Sequence, residues 1–133
     1  MALTNLPSPE PDEVSAAFFE GLNAGVLKVQ HCTACGTCDL ARLYCGDCGS
    51  EALEWRPASG RGQIHAFVVM RMAYDPALAG EIPYVSGVVE LEEGPRLFAQ
   101  ILGPGAVEVG QPVTLEFIRL ADGAVVPGFR PYG

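Results

Sequence analysis

Apolar positions recur along this chain with two different periods. From Asp12 onward, Val14, Ala17, Phe18, Leu22 and Val26 return at three- and four-residue steps, the spacing of one helical face. Asp12 is placed to cap a helix that begins near Glu13; Gly21 weakens it and Gly25 ends it. Phe18, Phe19 and Leu22 either cover the domain or dock on a partner, because a short helix on a small domain has little core of its own. Leu27 to Gln30 form a short strand that leads into a cysteine-rich stretch over residues 29–54. Leu53-Glu54-Trp55 and the punctuated Ser59-Gly60-Arg61-Gly62 follow. The pattern then changes to short apolar runs between Gly/Pro turns, which predicts strands at 63–72, 84–91, 96–102, 113–120 and 124–129. A loop with Pro76, Gly80 and Pro83 separates the first two, and Glu92-Glu93-Gly94-Pro95 makes a hairpin turn between the second and third.

Five short strands so spaced predict a small closed barrel. About seventy residues is the size of an OB fold, although periodicity does not separate it from an SH3-like barrel. The fold class is therefore mainly β, with an N-terminal helix before a cysteine ribbon and the barrel. The domains read as 1–28, leader and helix; 29–55, ribbon; and 56–133, barrel. Residues 1–11 carry Pro7, Pro9 and Pro11 and read as an extended, disordered leader.

The chain has 133 residues, 49% of them hydrophobic, and a net charge of −8 from sixteen acidic and eight basic side chains. Nucleic-acid binding calls for clustered Lys/Arg, whereas Lys28 and seven arginines here lie scattered. An OB-type binder of single strands is thus disfavoured: residues 62–133 hold four arginines against eight acids. No apolar run approaches membrane-span length, so no membrane partner is expected. Met1 to Asp12 shows neither the positive nor the apolar segment of a signal peptide, and a reducing cytoplasm is the expected setting for its thiols. So apolar a chain, this small, is expected to hide part of its surface against another protein.

The chemistry concentrates in C-T-A-C-G-T-C-D-L-A-R-L-Y-C-G-D-C-G. Cys32, Cys35, Cys45 and Cys48 form two C-x-x-C knuckles with nine residues between them. Two facing knuckles supply four sulfurs in a tetrahedron, the donor set of a structural Zn²⁺. Gly36 and Gly49 follow the knuckles, where the chain must turn back. Two disulfides or four unrelated core cysteines are the bland alternatives, and iron held as in rubredoxin is the redox one. Cys38 is the odd cysteine, a free thiol buried or half-buried, and His31 a packing or supporting residue rather than a ligand. His65 sits inside an apolar strand and reads as a satisfied barrel histidine. No G-x-x-x-x-G-K-[ST], G-x-S-x-G or H-E-x-x-H occurs, so no catalytic residues are assigned.

Taken together, this order resembles the DUF35 family of rubredoxin-like zinc ribbon plus OB-fold proteins. The resemblance runs from about Phe18 to Pro131. It rests on Phe19-Glu20-Gly21-Leu22 with Gly25 and Leu27, Gln30-His31-Cys32, the four cysteines, Cys48-Gly49-Ser50 and Leu53-Glu54-Trp55. Ser59-Gly60-Arg61-Gly62, Glu90 to Arg96, Gly110-Gln111-Pro112-Val113 and Gly128-Phe129-Arg130-Pro131 complete it. One departure stands between the knuckles: the family's Pro-Pro-Arg is here Leu40-Ala41-Arg42. The resemblance implies a non-catalytic zinc-binding subunit that forms a hetero-oligomer with a thiolase-like enzyme and helps shape its CoA or acyl-CoA site. A hot-dog-fold enoyl-CoA hydratase is the alternative partner. Arg61 and Arg130, which lie in matching stretches, and Arg42 are then candidates for CoA phosphates, against the plainer reading of ordinary surface ion pairs.

Overall fold

One short helix and eight strands carry the described part of the chain: α1 (Ala16–Asn23), β1 (Lys28–Cys32), β2 (Cys38–Asp39), β3 (Leu53–Pro57), β4 (Arg61–Met70), β5 (Tyr84–Leu91), β6 (Arg96–Ile101), β7 (Pro112–Arg119) and β8 (Val125–Pro131). The structure is a computed structural model, described for residues 9–72, 80–103 and 106–132. Most of the expected leader, Pro76 with the middle of its loop, and Pro104-Gly105 lie outside the described residues. No helix among the described residues is long and apolar enough to cross a membrane.

The helix starts later than its apolar period predicts. Asp12 does cap, but it caps a turn: its Oδ1 accepts from the Ser15 N–H at 2.8 Å and from the Ser15 hydroxyl at 2.9 Å. That closes residues 12–15 on themselves and leaves Ala16 as the first helical residue. The end falls where the glycine places it. Gly25 takes φ +83°, and its N–H bonds the Leu22 carbonyl at 3.0 Å.

Five strands close into a barrel in the order β4-β5-β6-β8-β7. Every pairing is antiparallel except β6 with β8, which run parallel over only Gln100↔Gly128 and Ile101↔Phe129. This Greek-key closure with one parallel seam is the five-stranded OB-fold barrel. Where that seam splays, α1 covers it. Phe18 and Leu22 are buried in the same cluster as Leu97, Ala99, Val125 and Phe129. Of the three helix residues that could have faced a partner, Phe18 and Leu22 are therefore core; Phe19 stays half-buried, edge-on to Phe18.

The linker into the barrel explains its own composition. Gly60 sits at φ +82°, and a Cβ on Gly62 would meet the Glu90 carbonyl at 2.5 Å, so both positions exclude side chains. Gly62 and Gln63 can then pair with β5 and β7 at once, while Arg61 pairs with β7. His65 departs from its expected place. It occupies the register break between Ile64 and Ala66, and this bulge leaves it exposed rather than inside the barrel.

Three strands form a second sheet in the order β2-β1-β3. β1 is central and pairs with β3 over five residues, from Lys28↔Pro57 to Cys32↔Leu53. The Leu53-Glu54-Trp55 stretch is thus part of a strand beside the cysteines. Leu27 and Val29 drop into the barrel's cluster, and Trp55 packs against it. The sheet is continuous with the core at one end and carries the knuckles at the other.

Candidate metal centre

Both knuckles are built alike. The Gly36 N–H bonds the Cys32 carbonyl at 2.8 Å, and the Gly49 N–H bonds the Cys45 carbonyl at 2.9 Å. The Cys32 N–H bonds Thr37 O at 2.9 Å, and the Cys45 N–H bonds Ser50 O at 2.8 Å. Gly36 and Gly49 take φ +85° and +75°, which is why each C-x-x-C is followed by glycine. Each turn aims its two thiols the same way, and the two turns face each other.

All four Sγ atoms lie within 4.8 Å of one another, with Cys32 and Cys45 buried and Cys35 and Cys48 exposed. Cys32 Sγ is 3.6 Å from Cys48 Sγ, and Cys35 Sγ is 3.6 Å from Cys45 Sγ. A regular ZnS₄ tetrahedron with bonds of about 2.3 Å has sulfur–sulfur edges of about 3.8 Å, so the donor set fits zinc in number, type and spacing. The five cysteines are free thiols, which leaves the paired-disulfide alternative without support.

The surroundings also suit a cation. Hydrogen bonds from Thr37, side chain then backbone, pull the Cys35 thiol down to about 6. Cys48 is pushed up to about 12: the Ser50 N–H favours its thiolate, but sharing with the Cys32 and Cys35 sulfurs outweighs that. Crowding four sulfurs disfavours their ionisation, and a divalent cation at the centre reverses the penalty. While Cys35 is protonated, the Thr37 hydroxyl donates to Asp47 Oδ2 at 2.8 Å and accepts from the Cys35 thiol at 3.3 Å. It ties one knuckle to the other. The Asp47 N–H points to Cys45 Sγ at 3.4 Å.

Cys38 stands outside this cluster. It faces His31 across the β1–β2 ladder, with Sγ 3.7 Å from Nδ1, and both are half-buried. Gln30 was not singled out by its spacing, yet it organises the loop between the knuckles. Its side chain is buried, with 6% exposure; its Oε1 accepts from the Arg42 N–H at 2.8 Å, and its Nε2 donates to the Arg42 carbonyl at 3.2 Å. This amide pairs with the Arg42 backbone as one rung of an extra strand, and Leu43 and Tyr44, next along the loop, stand in solvent, Leu43 at 72% exposure. Its signal in the sequence was a polar residue two positions before Cys32, on the strand face opposite the core-facing Val29.

The three arginines are not one site. Arg42 pairs with Asp39 in the ribbon. Arg61 and Arg130 lie on the barrel, both opposite Thr114 in the register, so they share one outer face. Arg61 Nε meets Glu92 Oε2 at 2.8 Å; Arg130 forks onto Glu116 at 3.0 and 2.8 Å. These contacts raise both guanidinium pKa values and lower those of Glu92 and Glu116, the hydrogen bonds contributing most. Tyr132 borders the shallow hollow beside each arginine.

Residues 19–54 match the family model described as the ChsH2 rubredoxin-like zinc ribbon domain, and residues 55–117 match that of the ChsH2 C-terminal OB-fold domain. A DUF35 domain-containing scaffold protein of Methanothermobacter thermautotrophicus is 34% identical over 107 residues, 74% of this chain and 80% of that protein. The benzoylsuccinyl-CoA thiolase subunit BbsA of Thauera aromatica is 35% identical over 102 residues, 74% of this chain and 68% of its own length. A probable enoyl-CoA hydratase alpha subunit of Thermomonospora curvata is 34% identical over 128 residues; these are 94% of this chain but 40% of that larger protein. Among solved structures, a chain of the Ltp2-ChsH2(DUF35) aldolase superposes with a TM-score of 0.83 at 33% identity, over 92% of this chain and 98% of that one. With its zinc-ribbon and OB-fold parts both matched, the chain belongs to the DUF35 family.

Proposed function

We propose that this chain is a non-catalytic, zinc-binding subunit of a thiolase-type complex in acyl-CoA metabolism. The observation that carries this reading is the four-thiol cluster. Four sulfurs fill a tetrahedron and leave no coordination position for substrate or water, so a zinc held by Cys32, Cys35, Cys45 and Cys48 supplies folding energy to the ribbon rather than chemistry. The names of the relatives support a partnered role. The two matched over most of their own length are a scaffold protein and a thiolase subunit, and the superposed structure is an aldolase containing a DUF35 chain.

Thiolases and aldolases both make or break carbon–carbon bonds. In this reading the larger subunit carries the reacting groups, and this chain braces it and contributes a wall of the CoA or acyl site. Arg61 and Arg130, flanking Thr114 on one outer face, would meet CoA phosphates by exchanging Glu92 and Glu116 for phosphate oxygens. Arg42 would act separately, from the ribbon. The alternative partner is an enoyl-CoA hydratase, favoured by the near-complete match of this chain to part of a hydratase alpha subunit.

Co-expression with a neighbouring thiolase-type gene tests the reading. The expected result is a stable complex whose activity requires this chain. A soluble monomer, beside an enzyme fully active alone, contradicts it. Under the same conditions Arg130→Gln should raise KM for the acyl-CoA with little change in kcat; an unchanged KM removes Arg130 from the CoA site.

A further inference from the structure

The ladder between β4 and β7 covers only Arg61, Gly62 and Gln63 of the ten residues of β4. Ile64 still exchanges hydrogen bonds with the segment before β7: its N–H bonds Gln111 O at 3.0 Å and its carbonyl accepts from the Gly110 N–H at 2.7 Å. Beyond the bulge, Ala66 to Met70 pair with β5 on one side, and no described strand flanks the other. Protein edges are ordinarily guarded by charge, proline or brevity. From Ala66 to Met70 this one carries neither charge nor proline, the nearest charge past it being the exposed Arg71: Ala-Phe-Val-Val-Met is apolar throughout. Phe67 is 37% exposed and Val68 49%, and as successive strand residues they face opposite sides of the sheet. Met72 and Ile82, at the described margins of the connecting loop, are 62% and 37% exposed. A strand apolar on both faces is the pattern of one covered on both faces.

Building on the partnered reading above, we infer that the outer half of β4 is an insertion arm for the larger subunit, which receives it in an apolar cleft and adds a strand to its free edge. A second copy of this chain fits the edge less well. Pairing two such edges over five residues makes a strip about 17 Å long. It falls well short of the roughly 1,200 Å² that a stable interface buries, and it leaves Phe67 and Val68 in water on opposite faces. A cleft supplies both backbone partners and walls, the strand-addition mode of recognition with side-chain pockets for specificity.

The test is Val68→Lys, co-expressed with the thiolase-type enzyme and checked for folding by zinc content and circular dichroism. The expected result is a folded chain with one zinc that binds the partner at least tenfold more weakly. Met72→Lys carries the same test if the first variant fails to fold. Wild-type complex with both folded variants binding normally overturns the arm while leaving the partnered reading intact. No wild-type complex overturns both. A wild-type homodimer that Val68→Lys converts to monomer assigns the edge to self-pairing and overturns the cleft.

Discussion

The knuckle end of the ribbon and the barrel solve the same problem with different materials. The barrel closes five strands around Ile64, Val89, Val113 and Phe129, all fully buried, and needs nothing but apolar area. The knuckles bury two cysteines and expose two, and are otherwise backbone hydrogen bonds, glycine turns and the Thr37–Asp47 link. Too few side chains are hidden there to fold it by burial, so the stabilising term has to come from metal–thiolate bonds. Between the two lies β1, with Leu27 and Val29 anchored in the barrel's cluster and Cys32 in the tetrahedron. The lesson is a division of labour along one strand: shape at its start comes from packing and at its end from coordination.

The largest break in this comparison should come from Cys45→Ser. Structural zinc is worth of order 10 kcal/mol in small metal-folded units. The variant should fall from one zinc per chain to none, with hydrogen-exchange protection lost at the knuckle amides but kept at Val89 and Val113. Simultaneous loss of barrel protection would show instead that the two regions are one cooperative unit. Phe129→Ala attacks from the other side. Removing a fully buried phenyl should cost about 3–5 kcal/mol and lower Tm by ten degrees or more. Zinc content at temperatures below the transition should stay at one.

Gln30→Ala sharpens the boundary. It leaves the N–H and carbonyl of Arg42 without their side-chain partner, at a cost of about 1–3 kcal/mol. Zinc should remain bound, while the amide of Arg42 loses protection and Leu43-Tyr44 lose their fixed presentation. Unchanged exchange at Arg42 would remove Gln30 from that role.

The smallest effect concerns pH. Glu92 and Glu116 have lowered pKa values, so their support of the fold is present above the ordinary carboxylate range and fades as pH falls through the depressed values. Both are solvent-exposed, so Glu116→Gln should shift the acid limb of the Tm–pH curve only slightly, and less in high salt. The ribbon should respond to acid differently, because protons compete with zinc for the thiolates and metal release becomes the visible event.

Much of this was legible in the sequence, because local chemistry fixed it. The two C-x-x-C-G turns, the helix stop at Gly25 and the strand at 84–91 each follow from residues within a few positions. What was hidden depends on distant partners. Phe18 and Leu22 look alike as core or docking residues until the short β6–β8 seam shows a gap for them to fill. His65 lies in an apolar run, but a bulge set by the pairing with β5 turns it outward. Leu53–Pro57 becomes a strand only because β1 stands beside it. The arginines illustrate a further limit: surface ion pairs were their plainer reading, but that Asp39, Glu92 and Glu116 are the partners was not readable.

The most direct test of a non-catalytic zinc subunit is an acyl-CoA activity assay on the neighbouring thiolase-type enzyme, alone, with the wild-type chain, and with Cys45→Ser. The expected result is turnover only with the zinc-loaded wild-type chain, and none from this chain by itself. Full activity of the enzyme alone, or turnover by this chain alone, would contradict it.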